Sequence, residues 1–166
     1  MISEPRPWPT KAFDLAAVLV RWLLGFIFLY MGLSKALQPV EFLKLVREYN
    51  VVQNPLLLNS IAASLPWFEV FCGLLLVAGV AVRGSASMLL LMLVPFTIVV
   101  LQRALALQTE LRIPFCAVKF DCGCGAGEVL ICRKLIENGM LMLMSAWLLT
   151  GRGQQFCVRY NLLKPL

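Results

Sequence analysis

Long apolar stretches alternate with short polar connections along most of the chain. Four of these stretches, at about residues 15–33, 61–82, 86–101 and 133–149, have the character of helices that cross a lipid bilayer. Together they use up the length of the chain, so residues 1–166 are expected to form a single membrane domain. The pattern therefore predicts an all-α, integral membrane four-helix bundle.

A different pattern follows Pro39, between the first two predicted spans. Apolar and polar positions there alternate at helical spacing, with Phe42, Leu45, Val46 and Tyr49 on one face and Glu41, Lys44 and Glu48 on another. Such a segment predicts a short helix that lies in the membrane interface. It could serve as a lid over the loop that carries most of the cysteines, or as a plain connector.

The composition supports a membrane location and excludes several functions. Of the 166 residues, 60% are hydrophobic and 14% are charged, and the mean hydropathy is +0.83, whereas soluble domains contain about 25% charged residues. The net charge of +6 is spread over the ends of the spans without a basic run, so membrane lipid is the expected partner and nucleic acid is not. Histidine is absent, which excludes His-ligated haem and Ser-His or Cys-His catalysis.

Two charged residues lie within the predicted spans. Arg21 belongs to the first span and Glu69 to the second. A charge at the centre of a membrane helix costs at least about 2.5–3.5 kcal/mol on insertion scales, so Arg21 is expected to reach the membrane surface or to pair with an acid. Glu69 is its natural partner, and the pair would organise the bundle or a polar pocket within it.

The loop over residues 112–132, between the third and fourth spans, holds four of the six cysteines, namely Cys116, Cys122, Cys124 and Cys132. Cys122 and Cys124 are separated by one glycine, in a segment whose glycines allow unusual backbone conformations. Thiol–disulfide exchange requires two accessible thiols close together. The spacing satisfies this requirement, with Cys122 and Cys124 as the exchanging pair and the two outer cysteines as a relay or a lock of the loop.

Two alternatives for the cysteines do not involve turnover. A zinc site with four thiolates would have the spacing C-x5-C-x-C-x7-C, which lacks the paired C-x2-C elements typical of structural zinc. The four cysteines could instead form structural disulfides that hold an external loop. No cofactor motif is evident, and a quinone as electron acceptor is an alternative that no residue supports.

Three features combine into a resemblance to a known family. They are Arg21, Gly25, Gly32 and Lys35 in the first span, Pro66, Glu69 and Gly73 in the second, and the Cys122-Gly-Cys124-Gly element before the fourth. In this combination the chain resembles the DoxX-like membrane proteins, and most closely their MauE (methylamine utilisation) branch, over residues 12–149. It departs from that branch in lacking a bulky aromatic after Cys124, and the resemblance does not account for Cys116 and Cys132.

The resemblance implies a bacterial inner-membrane protein with cytoplasmic termini and a periplasmic cysteine loop, although the distribution of Lys and Arg slightly favours the opposite orientation. It also implies exchange with a thioredoxin-like periplasmic protein, in support of disulfide formation or maturation of an exported client. Cys122 and Cys124 map to the redox pair, and Arg21 and Glu69 to the intramembrane polar positions. The protein would then be a thiol–disulfide oxidoreductase. The alternatives are a non-catalytic membrane subunit or assembly factor and, third, a small transporter.

Overall fold

A computed structural model describes residues 8–49, 53–121 and 127–150, which are helical over most of their length. The helices are α1 (Trp8–Leu37), α2 (Pro39–Glu48), α3 (Pro55–Ala78), α4 (Val82–Leu111) and α5 (Ile131–Leu149). Between α4 and α5 lie a 3-10 turn (Phe115–Ala117) and two strands, β1 (Lys119–Asp121) and β2 (Glu128–Leu130). The prediction of an all-α fold with a cysteine-rich loop before the last helix is confirmed.

Within these ranges, three helices are long and apolar enough to cross a membrane: Leu15–Leu37, Pro55–Ala78 and Val82–Leu111. The fourth long helix, α5, carries Arg133, Lys134 and Glu137 near its start, which lowers its apolar character. It packs against α4 and α1 and completes the bundle. Because many large apolar side chains of the long helices point outward, the outer surface suits contact with lipid, and the protein is a membrane protein.

The bounds of α3 have clear local causes. The side chain of Asn54 accepts hydrogen bonds from the backbone N–H groups of Leu56 and Leu57, and Pro55 occupies the first helical position, where its missing N–H costs nothing. At the other end, Gly79 adopts a left-handed conformation with φ of 72°, which ends the helix. The helix therefore ends at Ala78, whereas the sequence pattern extends the second span to residue 82.

The short helix α2 confirms the predicted amphipathic segment. Phe42 is buried, Leu45 and Tyr49 are half-buried, and Glu41 and Glu48 on the other face are exposed. The buried face packs on the bundle, where α2 contacts both α1 and α3. Thus α2 lies across the end of the bundle at which α1 ends and α3 begins.

The closest helix packing is between α1 and α3. A Cβ atom added at Gly25 would lie 3.0 Å from the backbone oxygen of Gly73, and one added at Gly32 would lie 2.7 Å from the backbone oxygen of Pro66. Only glycine allows backbones to approach this closely. These contacts make the two helices antiparallel and fix their relative register.

Candidate functional site

Residues 116–121 and 127–132 form the two sides of a small hairpin, called here the cysteine hairpin. Strands β1 and β2 pair antiparallel, with Lys119 opposite Leu130 and Asp121 opposite Glu128. A disulfide joins Cys116 to Cys132, whose Cα atoms are 5.1 Å apart. The hairpin therefore has a covalently closed base, at this disulfide, and a tip, at the connection between Asp121 and Glu128.

Buried contacts attach the base to the membrane helices. Val118 and Ile131 are fully buried and pack with Val100 and Ala104 of α4. The N–H of Ile131 also donates a hydrogen bond to the carbonyl of Val118, which continues the strand pairing to the start of α5. The base is thus fixed by a disulfide and a small apolar cluster, while Cys116 itself remains exposed.

Cys122 and Cys124, the predicted exchanging pair, lie outside the described residues. Their described neighbours in the chain are Asp121 and Gly127, and both line a cleft at the tip. The disulfide has a direct consequence for the zinc alternative. Because Cys116 and Cys132 are bonded to each other, they provide no thiolates for a site with four thiolate ligands.

The cleft at the tip has a volume of about 180 Å³. Its walls come from the end of α1, from α2 and from the cysteine hairpin, through Ser34, Lys35, Gln38, Glu41, Phe42, Leu45, Asp121 and Gly127. The amphipathic helix α2 is therefore a wall of the cleft next to the predicted exchange site. Whether it acts as a lid stays a prediction.

A buried ion pair lies beneath this cleft. Lys35 Nζ donates hydrogen bonds to both carboxylate oxygens of Glu69, at 2.6 and 2.8 Å, and the two residues are only 5% and 6% exposed. The ammonium group also lies over the rings of Phe42 and Phe96, at 5.5 and 5.9 Å from their centroids, where cation–π attraction adds to the ion pair. Lys35 is a wall residue of the cleft as well, so the pair connects the cleft to the bundle interior.

The prediction that Arg21 pairs with Glu69 is wrong. The register of α1 and α3 places Gly32 beside Pro66 and Val70, so Glu69 lies level with the region of Gly32, in the last turns of α1. Arg21 is 14 residues before Lys35, which corresponds to about 21 Å along a helix. Arg21 is itself completely buried within the protein.

The sequence interpretation missed Lys35 as the partner of Glu69. The signal was present, because Gly25, Gly32 and Lys35 are spaced by seven and three residues and share one face of α1. It missed a second polar contact too, in which the Asn138 side chain of α5 donates to the Thr97 hydroxyl of α4 at 3.1 Å. The two contacts join residues that are 34 and 41 positions apart in the chain, so no local pattern indicates these pairings.

These features define a class: a helical membrane protein with a disulfide-closed cysteine hairpin above a buried ion pair. A family model described as "Methylamine utilisation protein MauE" matches residues 13–151. The chain therefore belongs to the MauE family, as its resemblance in sequence implies. None of the curated proteins and none of the solved structures compared with it gives a match.

Proposed function

We propose that this protein exchanges disulfides with a thioredoxin-like periplasmic protein at the inner membrane, and so supports disulfide formation or maturation of an exported client. The observation that supports this most directly is the construction of the cysteine hairpin. Its base is closed by Cys116 and Cys132, and the connection at its tip contains Cys122 and Cys124. A fixed base with two further cysteines at the tip suits repeated reaction at the tip.

The proposed exchange has three steps. A thiolate of the reduced partner attacks one sulfur of a Cys122–Cys124 disulfide, and the other sulfur leaves as a thiolate. The partner's second thiol then attacks the mixed disulfide, which leaves the partner oxidised and both cysteines of this chain reduced. A second carrier that bears a disulfide accepts the two electrons and restores the Cys122–Cys124 bridge. The thioredoxin-like partner and this second carrier complete the cycle.

The geometry favours a lock over a relay for the outer cysteines. The strand pairs Lys119–Leu130 and Asp121–Glu128 are two residues apart, or about 7 Å along a strand. Cys116 and Cys132 lie beyond the first pair and the tip lies beyond the second. In this role the outer bridge keeps the hairpin closed while the inner pair changes its redox state.

The second candidate is a non-catalytic membrane subunit or assembly factor with structural disulfides. The observation in its favour is the same outer bridge, because Cys116 and Cys132 join the connection after α4 to the start of α5 next to a buried apolar cluster. This candidate predicts that the inner cysteines change nothing in a partner. Reactivity of the inner pair therefore separates the two functions.

The test is thiol labelling in intact cells with a membrane-impermeant alkylating reagent, before and after mild reduction, with mass spectrometry of each cysteine. We expect labelling of Cys122 and Cys124 after mild reduction, and labelling of Cys116 and Cys132 only after treatment with a strong dithiol. Exchange with a partner is followed as a trapped mixed disulfide in single variants of each inner cysteine. Cys116→Ser/Cys132→Ser is the matched control.

Other outcomes would reject specific parts of the proposal. Inner cysteines that require denaturing reduction, together with no mixed disulfide in either single variant, would favour the structural candidate. Labelling that appears only after the inner membrane is opened would place the cysteine hairpin in the cytoplasm, as the distribution of Lys and Arg indicates.

A further inference from the structure

Two neighbouring cavities lie along α2. The first is the cleft of about 180 Å³ at the tip of the cysteine hairpin, and the second has a volume of about 40 Å³. Both are lined by Leu45 and Asp121. Together they follow α2 from Gln38 near its start to Glu48 at its end, and this combined cavity is called here the α2 groove.

The far end of the α2 groove contains two polar groups, on Tyr49 and Arg103, that have no hydrogen-bond or ion-pair partner among the described residues. The hydroxyl of Tyr49 is buried and has no hydrogen-bond partner among the described residues. Arg103 lines the same cavity and forms no ion pair within the described part of the chain. Burial, followed by the nearby Asp121 carboxylate, raises the pKa of Tyr49, so its hydroxyl keeps its proton and remains a donor. A buried hydroxyl gains from a hydrogen-bond partner, so this group is available to donate to a bound molecule.

We propose that the α2 groove binds an extended peptide segment of the thioredoxin-like partner, next to the partner's reactive cysteine. This inference rests on the proposed function. The Tyr49 hydroxyl and the Arg103 guanidinium donate to backbone carbonyls of the bound segment. Glu48 accepts from its N–H groups or from a basic side chain.

The dimensions of the groove fit such a segment. Helix α2 has ten residues, or about 15 Å, which matches four to five residues of extended chain at about 3.3 Å each. The lining also combines the apolar side chains of Phe42, Leu45 and Phe120 with polar ones. An extended peptide presents backbone donors, backbone acceptors and apolar side chains together.

Charge and position favour a peptide over a lipid headgroup. The carboxylates of Glu41, Glu48 and Asp121 line the groove together with two cations, Lys35 and Arg103. Because Lys35 is already paired with Glu69, the carboxylates outweigh the remaining cation and would repel the phosphate of a phospholipid. Asp121 directly precedes Cys122 in the chain. A segment held in the groove is thus brought to the part of the chain that carries the proposed exchange thiols.

The test compares Leu45→Trp with Val40→Trp in the full-length protein, reconstituted in lipid nanodiscs. The larger side chain at Leu45 fills the point where the two cavities meet, whereas Val40 is exposed on the same helix outside the groove. The probe is a fluorescent peptide of about six extended residues, with lysines flanking a serine in place of cysteine. Its binding is measured by fluorescence anisotropy.

We expect Leu45→Trp to raise the Kd at least about tenfold and Val40→Trp to leave it within about twofold. Tyr49→Phe, which removes only the hydroxyl, is expected to raise the Kd about fivefold. Equal binding by wild type and Leu45→Trp would overturn the inference. So would a phospholipid that copurifies with wild type and is lost in Leu45→Trp while peptide binding is unchanged.

A second measurement separates this inference from the proposed function. The inner cysteines are first reduced, so that a thiolate of Cys122 or Cys124 attacks the probe disulfide and releases thionitrobenzoate, which is measured by its absorbance. The probe is the cysteine form of the peptide as a mixed disulfide with thionitrobenzoate, and it is compared with the same mixed disulfide of 2-mercaptoethanol. Cys122→Ser/Cys124→Ser provides the background rate. Leu45→Trp should slow the reaction with the peptide about tenfold and with the small disulfide less than twofold. Peptide binding without any exchange above background would support the groove and reject the exchange function. If Leu45→Trp reacts with both reagents at the same rates as wild type, the exchange function is supported and the peptide groove is rejected.

Discussion

The seam between α1 and α3 and the cysteine hairpin are stabilised in different ways. In the seam, glycines bring two helix backbones into contact, and the Lys35–Glu69 ion pair is buried at one end. The hairpin has two strands of three residues each and a disulfide at its base. The first is a large buried surface within the membrane region, and the second is a small element at its edge.

The difference follows from what each region contributes. Two three-residue strands are too short to be stable alone, so the hairpin depends on its disulfide and on a few buried residues such as Val118 and Ile131. This arrangement leaves its tip next to the α2 groove. The seam, by contrast, fixes the position of α1 and therefore of the groove wall that α1 supplies. Substitutions in the two regions should have separable effects.

The largest effect is expected in the seam, from Lys35→Met. Removal of the ammonium leaves Glu69 buried without its hydrogen-bonding partner, and breaking a buried pair on one side typically costs about 3–5 kcal/mol. The free energy of unfolding of the reconstituted protein, measured in a denaturing detergent, is expected to fall by that amount. Lys35→Met/Glu69→Leu is the control and should recover most of the loss. A single variant as stable as wild type would contradict the importance of this pair.

The second effect is expected in the hairpin, from Cys116→Ser/Cys132→Ser. The bridge spans 16 residues, and a loop of this length corresponds to about 3 kcal/mol in the chain-entropy account of disulfides. We expect residues 112–132 to become sensitive to protease while the membrane helices stay protected. Wild type treated with a strong dithiol should show the same pattern of cleavage. Protection of the loop in the absence of the bridge would mean that its buried residues suffice.

A smaller effect in the seam is expected from Gly32→Ala. The new Cβ would lie 2.7 Å from the backbone oxygen of Pro66, so the helices must separate, at a cost of about 1–3 kcal/mol for overpacking. Gly139→Ala is a matched control, since a Cβ there meets nothing within 4 Å. In the same detergent unfolding measurement, Gly32→Ala should be less stable than wild type and Gly139→Ala should not. Equal stability of both variants would show that the seam can widen freely.

The smallest effect is expected from Arg133→Ala, next to the hairpin at the start of α5. Arg133 forms an ion pair with Glu137 one turn later, but its side chain is 77% exposed. An exposed helical pair of this spacing contributes about 0.3–0.5 kcal/mol. We expect unfolding to change by no more than this and exchange to be unaffected. A loss above about 1 kcal/mol would assign Arg133 a structural role that its exposure does not indicate.

Much of the fold could be predicted from the sequence. The long apolar stretches indicated the membrane helices, and the spacing of Phe42, Leu45 and Tyr49 indicated the amphipathic helix α2. The candidate site was less accessible. The cysteine loop was recognised from its four thiols, yet the sequence left their pairing open, since several pairings are compatible with the same spacing.

The error over Arg21 has a specific physical origin. Arg21 and Glu69 were predicted to pair because each is a charged residue within an apolar stretch, in the first and second spans respectively. The sequence alone does not predict how far α1 and α3 are shifted relative to each other. The contacts at Gly25 and Gly32 fix this register. Lys35 at the end of α1 was therefore overlooked, although it shares a face with both glycines.

What the sequence determined by itself was local: helices from apolar length, an interfacial helix from its periodicity, and a cysteine-rich loop from its composition. These properties depend on residues that are neighbours in the chain, so they can be predicted from a single sequence. Only the tertiary structure decided the Lys35–Glu69 pair, the Cys116–Cys132 bridge and the α2 groove. The ion pair and the groove join residues of different elements, which meet only through the packing of the helices, and the bridge depends on the pairing of β1 with β2.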